Sequence, residues 1–543
     1  MIIPILWLIK EKFYKPYLDC QVPIEQIDSV LKEQDNKLIG ETVVIIGGSF
    51  SGLTTAIIMS KYYRKVIIID RSKIVPDESI AKSRQGEQAH VIAYRSMLVW
   101  ERLLPGFLDE LKNGLGTSDH LNLRKNPLLM ASRGQIETIL REKVKRELKN
   151  VEFLDGYHVS SSGIKVETIS ENGEKVTRVK SITVTKVSDA EHVLFASSRT
   201  IECNLLVNCG GAGSSSLMKN IENEISPNKK ILTKSSIECK IGYQTIFMEP
   251  KDSSYDSEGK VAISREDRID NVQENRKLDD PYYIIYHLLC YPNRRGVLFM
   301  PYSDNTFLIL LTTYNEKIES VQYETAKEQI IEFTKLNPTM ERDAKIMLEK
   351  FKDIPKKIVP YYEKNGSEYV HYENLKGVRD FIAVGDAAGS LNPIYGQGIT
   401  MAIDSIVLLD EMIKIELKKD KSVFNPSFCQ EFQSRLCKSY LVPWLLCSST
   451  DMRFDFAKYS QNLSMQKLIS PILGWMTDRM FMSANVSAIS SFHLMKVLLM
   501  EDGFRKELVN LYWLLGFVFR KEVIMVTFIS LSIYIFNFVI SLF

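Results

Sequence analysis

The chain has 543 residues, of which 45% are hydrophobic and 25% charged, with 69 basic against 67 acidic side chains. That length accommodates several domains and a well-buried core, and the composition lies near the globular average, which excludes collagen, coiled-coil rods and wholesale disorder. A formal charge of +2 leaves no global positive field, so no nucleic-acid partner is expected.

The N-terminal run MIIPILWLIKEK is too short to span a bilayer, lacks preceding basic residues and carries Pro4. It is expected to pack on the protein rather than contact a membrane surface. Residues 21–40 are polar and linker-like. VVII at 43–46 is a short continuous apolar run, as in a strand buried on both faces. A glycine-rich turn follows, then a helical stretch to about residue 63 and a second buried strand, VIIID at 66–70. This order predicts a parallel α/β unit. Strand then helix is expected over 128–150, and another buried strand at 204–208 (NLLVN).

From about 233 to 320 the pattern changes. YYIIYHLLC (282–290), GVLFMPY (296–302) and TFLILLTTY (306–314) predict a separate antiparallel sheet, followed by a helix around 322–335. His287 in this region reads as a core histidine. FIAVG at 381–385 returns to the buried-strand pattern, and 399–416 and much of 427–505 read as helical. At the end, Val523 to Phe543 carries no charge and follows Arg520 and Lys521. About 20 uncharged residues match the hydrocarbon thickness, so a transmembrane helix is expected, a single-pass C-terminal anchor with the remaining chain facing the cytosol. The eight cysteines (20, 203, 209, 239, 290, 429, 437 and 447) form no C-x-x-C pair. Neither a metal site nor a disulfide framework is suggested.

Two glycine-rich segments carry chemistry. GGSFSG, Gly47 to Gly52, follows the G-x-G-x-x-G template with Ser49 at the second glycine. Gly47 permits the tight turn, a small residue at 49 admits a pyrophosphate, and Gly52 lets the helix pack on the sheet. Gly48 and Ser51 complete the turn, and the helix start offers N–H groups to phosphates. Asp70 ends the next strand, where an acid can accept ribose hydroxyls, with Arg71 able to border an adenine. The second segment is GDAAGSLNPIYGQG, 385–398. Asp386 can bond the ribityl chain of a flavin, while Pro393, Gly396, Gln397 and Gly398 form a turn whose N–H groups can meet the pyrimidine edge.

Together these segments resemble the FAD-dependent monooxygenases of the aromatic-hydroxylase (p-hydroxybenzoate hydroxylase-like) superfamily. Further stretches resemble the family in the same order: Arg84, Gly86, Gln88 and His90 in RQGEQAH, LLPGFLDEL at 103–111, Arg133 in SRGQIETILR, and NLLVNCGGAGSSS at 204–216. The resemblance spans about residues 41 to 455. It implies a Rossmann-like, glutathione-reductase-type domain for FAD with an inserted antiparallel substrate domain and a helical C-terminal part. FAD would be held by Gly47, Gly48, Ser49, Ser51, Gly52, Asp70, Arg71, Arg84, Gln88, Arg133, Asp386, Pro393, Gly396, Gln397 and Gly398.

The boundaries expected are an N-terminal segment (1–40), an FAD domain in two parts (41–225 and 371–420), a β substrate domain (226–370), a helical region (421–510) and a membrane anchor (511–543). The resemblance implies oxygen transfer from a flavin C4a-hydroperoxide, hydroxylating or epoxidising a lipophilic small molecule, with NAD(P)H as candidate donor. His90 and Tyr395 are the acid/base candidates. The chain departs from the family where many members carry Asp-Gly and arginine, having Asn208-Cys209-Gly210-Gly211 and Ala212, so the donor is less secured than the flavin. Alternatives are a flavin-dependent halogenase (no W-x-W-x-I-P motif is found), a geranylgeranyl-type prenyl reductase, and a non-catalytic membrane-anchored binding protein on the same fold.

Overall fold

In the computed structural model, the described residues lie between 22 and 477, with gaps of which the longest are 73–85, 115–127, 188–196 and 252–284. A five-stranded parallel sheet lies at the centre. Its order is Phe381–Ala383, Leu205–Asn208, Gly40–Ile46, Tyr63–Asp70, Val151–Asp155. The VVII run lies between two strands, with Ile45 opposite both Ile68 and Val207, and is buried on both faces of the sheet. That is why it reads as continuously apolar rather than alternating. The crossover helix Phe50–Met59 buries every residue except Ser51. Helix Gly398–Lys418 packs across it, and both belong to one core with the sheet.

The helix Arg133–Glu147 starts where Ser132 caps it, its hydroxyl accepting from Gln135 N. Helix Pro426–Asp451 is capped by Asn425, with proline at its start. It joins the same core through Phe428, Phe432, Leu436 and Tyr440, and Gln433 Nε2 donates to Ala383 O at 3.1 Å. After Asp451 the chain leaves the helix. Lys458–Tyr459 pairs with the long strand Lys234–Met248, so the helical reading of 427–505 is interrupted there by sheet pairing.

A second sheet is antiparallel and built around Lys234–Met248, which pairs with Phe307–Tyr314 on one side and Tyr362–Val370 on the other. Arg295–Pro301 and Ile285–His287 extend it. Its two faces do different work, as the two-residue strand period requires. Ile246, Met248, Val297, Phe299, Ile309 and Leu311 pack beneath helices Ala326–Thr334 and Pro338–Glu349. Phe247, Leu308 and Val359, with Leu298, Tyr302 and Leu310 half-buried beside them, form a separate apolar face. That face looks toward the parallel unit: Thr245 Oγ1 donates to Gln88 Oε1 at 2.6 Å, and Tyr302 Oη accepts from Ser132 N at 2.7 Å.

The membrane expectation is corrected. No helix among the described residues is long and apolar enough to cross a membrane. The two longest, Gly398–Lys418 and Pro426–Asp451, carry ionisable residues and bury their apolar sides in the protein core. The segment 523–543, on which a single-pass, cytosol-facing anchor rested, lies outside the described residues, as do the N-terminal run and the 511–519 stretch. The membrane placement is therefore withdrawn.

Candidate functional site

The glycine turn is built as the sequence requires. Gly47 has φ +99°, and a Cβ there would come within 2.4 Å of Cys209 O. A Cβ on Gly52 would lie 1.8 Å from Gly47 O, so only glycine lets the helix start fold against the turn. Asp70 reaches back to this turn, its Oδ2 accepting from Gly48 N at 2.6 Å and its Oδ1 from Ser72 N at 2.8 Å. A carboxylate has about four acceptor positions, which leaves room for ligand hydroxyls. Arg71 beside it is exposed.

Arg133 meets the same turn from another helix. Its Nη2 donates to Ser49 Oγ at 2.8 Å, and Ser49 in turn donates to Glu137 Oε2 at 2.7 Å. Beneath them lies Arg141, which the sequence reading did not assign. It is buried, donates to Gly48 O at 3.4 Å, pairs with Asp155 and stacks 4.3 Å over Phe153. The R-x-x-I-E-x-x-L-R stretch thus sends both of its arginines to the turn.

The late segment arrives at the same place. Gly385 has φ +61°, and a Cβ on it would fall 2.2 Å from Ser51 Oγ, which brings the GDAAG loop into contact with the first turn. Asp386 follows, with its Oδ1 3.9 Å from where a Cβ on Gly398 would lie. Pro393 opens a short 3-10 turn, and Gly396 closes it at φ +66° with open space where a side chain would project. Gln397 and Tyr395 are buried. The segment around Gly86–Gln88 is pinned by Gly134 N donating to Gly86 O at 2.9 Å. The Gln88 amide is engaged with the second sheet, donating to Pro360 O at 2.9 Å and accepting from Thr245. Arg84 lies outside the described residues.

His90 Nδ1 lies 3.0 Å from Gln88 O. Burial, and then the Arg133 charge, lower its pKa to about 4, so the imidazole is neutral at neutral pH. Lys364 comes from strand Tyr362–Val370 and donates from Nζ to Leu391 O at 2.8 Å. Burial lowers its pKa, with Asp386 opposing and Arg133 reinforcing. His90 and Lys364 are both half-buried.

Asn392, fully buried, holds the late turn from behind. Its Oδ1 accepts from Ile394 N at 3.0 Å, and its Nδ2 donates to Asp451 Oδ1 and Oδ2 at 3.0 Å each and to Tyr314 Oη at 2.8 Å. Tyr314 donates to the same carboxylate at 2.6 Å. Burial lifts Asp451 to about 6 despite these donors. The sequence reading missed this triad, whose members come from the antiparallel sheet, the late turn and the C-terminal helix.

Asn208 closes the strand end. Its Oδ1 accepts from Gly210 N at 3.1 Å and its Nδ2 donates to Tyr372 Oη at 3.3 Å. Cys209 lies 3.6 Å from Thr55 Oγ1, its thiol pushed up to about 12 by burial. Cys203, Cys209, Cys239, Cys429, Cys437 and Cys447 are free thiols. Away from the turns, His371, Glu373 and Cys437 gather within 4.8 Å. His371 Nδ1 and Glu373 Oε1 are 2.7 Å apart. Two ligands about 2.1 Å from one tetrahedral ion stand farther apart than that, so this is a hydrogen-bonded pair.

Neither a protein-family profile nor a curated protein matches the sequence. Among solved structures, the Diels-Alderase PyrE3 from the biosynthetic pathway of pyrroindomycins is similar at 14% identity and a TM-score of 0.43, over 86% of this chain and 81% of that one. PqsL, "a probable FAD-dependent monooxygenase from Pseudomonas aeruginosa", is similar at 13% identity and 0.44, over 76% and 97%. FqzB is similar at 14% identity and 0.44, over 76% and 86%. At these scores the likenesses fix neither activity nor substrate.

Proposed function

We propose that this chain is an FAD-dependent oxidoreductase, a monooxygenase that hydroxylates or epoxidises a lipophilic small molecule with NAD(P)H as electron donor. The observation that carries the reading is the convergence of Ser51 and Gly385, distant in sequence, at one glycine turn beside Asp70, Arg133 and Asp386. Bound FAD would supply the electron transfer and oxygen chemistry that side chains cannot.

The residues fit that group. Gly47 to Gly52 and the helix start at Phe50 suit a diphosphate, supported by Arg133. Asp70 suits the ribose hydroxyls and Asp386 the ribityl chain. The turn from Pro393 to Gly398, with no side chain at 396, suits the pyrimidine edge, and Arg71 and the backbone around Gln88 border the site. Residues 41–225 with 371–420 then form the cofactor domain and 226–370 the substrate domain.

The apolar face of Phe247, Leu298, Leu308 and Leu310 would hold an apolar substrate and exclude water from the reacting atoms. Neutral His90 offers one N–H donor and one acceptor nitrogen without adding charge. Tyr395, buried within the late turn, would position rather than react.

The test is direct. Protein reconstituted with FAD should turn yellow with absorbance near about 450 nm, consume NAD(P)H, and add one oxygen atom to an apolar acceptor by mass spectrometry. A colourless protein would remove the flavin reading. A product gaining two hydrogens would assign a reductase, and chloride-dependent product a halogenase.

A further inference from the structure

Lys364 belongs to the antiparallel sheet, opposite Ile241 in register, and its ammonium reaches the late segment just past Gly389–Ser390, the short strand that pairs with its own. It donates to the carbonyl of Leu391 at 2.8 Å, the residue just before Asn392 and Pro393. An ammonium has three protons, and among the described residues Leu391 is its one hydrogen-bond acceptor. Arg133 and Asp386 both act on it, and it acts on His90 together with Arg133. Lys364 and the Ser49-bound Arg133 thus bring two cations to the segments that carry Asp386 and His90. A half-buried ammonium with donors to spare can take a further acceptor, and an anionic one best.

The phosphate turn already has its own donors, the helix start and Arg133 on Ser49. Lys364 is fixed instead to the loop that leads into Pro393–Gly398. We propose that Lys364 is the cation facing the pyrimidine edge of bound flavin, where it favours the reduced, negatively charged form over the oxidised one. The proposal rests on the flavin reading and adds to it a named charge from the substrate-side sheet. Reduction places extra negative charge on that edge of the ring, and a fixed neighbouring charge tunes the potential.

The test compares wild type with Lys364→Met, Lys364→Gln and Lys364→Arg, each loaded with FAD. The readouts are the affinity for oxidised FAD and the midpoint potential. The expected result for Lys364→Met and Lys364→Gln is an oxidised-FAD affinity within threefold of wild type and a tenfold or greater loss in preference for reduced flavin. For a two-electron couple, that tenfold loss is about 30 mV more negative. Lys364→Arg should restore most of the wild-type value, and it keeps the test open if the neutral variants do not fold. An unchanged potential in the neutral variants would overturn the proposal, as would a parallel loss of oxidised-FAD binding, which would place Lys364 at the diphosphate. A wild-type protein that takes up no FAD would instead overturn the flavin reading on which the proposal stands.

Discussion

Replacing Asp451 by asparagine separates charge from shape behind the late turn. In the wild type, burial raises the Asp451 carboxyl from 3.8 to about 6, so the folded state binds its proton more tightly than the unfolded state does. A carboxyl shifted upward is penalised in full above its folded pKa, and the penalty fades as pH falls through 6 toward 4. Two units correspond to about 3 kcal/mol in all, of which about 1.4 kcal/mol is recovered between about pH 8 and pH 5. Asp451→Asn removes this titration. It keeps at Oδ1 an acceptor for both the Tyr314 hydroxyl and Asn392 Nδ2 but replaces Oδ2 by an amide that faces Asn392 Nδ2, and the lost bond and the buried amide left without an acceptor cost about 1–3 kcal/mol. Near pH 8 the two effects oppose each other, and stability should change by no more than about 2 kcal/mol. At pH 5 the wild type should have gained about 1.4 kcal/mol on the variant. Urea denaturation followed by tryptophan fluorescence at the two pH values gives the double difference. A flat or reversed difference would refute the placement of an ionised, buried carboxylate at this turn.

His90 should titrate with the opposite sign. Its folded pKa of about 4 lies below the ordinary value, so the unfolded chain takes the proton first and stability is lost between about pH 6.5 and 4, by up to about 3 kcal/mol. His90→Gln should abolish that loss in the same denaturation series. Gly52→Ala places a Cβ 1.8 Å from Gly47 O and should destroy flavin uptake, read as the loss of bound absorbance. Asp70→Ala removes acceptors for Gly48 N and Ser72 N and should weaken FAD about 10- to 100-fold while leaving riboflavin affinity unchanged. Fluorescence titration with both ligands distinguishes it from unfolding.

What was legible in the sequence is what local geometry dictates. Gly47, Gly52, Gly385 and Gly396 were readable because each sits where a positive φ or a backbone approach forbids a side chain, and such constraints leave glycines at fixed spacing. VVII and FIAVG were readable because strands of a parallel sheet covered on both faces must be apolar throughout. Lys234–Met248, the centre of the second sheet, was not resolved as a strand in its own right, because KSSIECKIGY mixes polar and apolar residues across a register shift between Glu238 and Ile241. The helix Pro338–Glu349 escaped too, its capping asparagine and first-turn proline unremarked beyond the helix expected around 322–335.

The residues that were missed at the site share one property. Lys364, Tyr314, Asp451, Arg141 and Asp155 act through partners on other elements, and neither spacing nor composition specifies which cation meets which carbonyl. A lysine on a strand reads as a solvated edge residue until the fold turns its face inward. The antiparallel sheet turns that face inward here, because its other face is taken by the helices at 326–349. The apolar side left over must be closed by the parallel-sheet unit, and the polar residues on it must find partners there. Thr245 finds Gln88, Tyr302 finds Ser132, Tyr314 finds Asn392 and Lys364 finds Leu391. The antiparallel sheet is thus tied at four points to segments that line the proposed flavin site. A change on that sheet should therefore alter the flavin's spectrum and potential before it alters the fold.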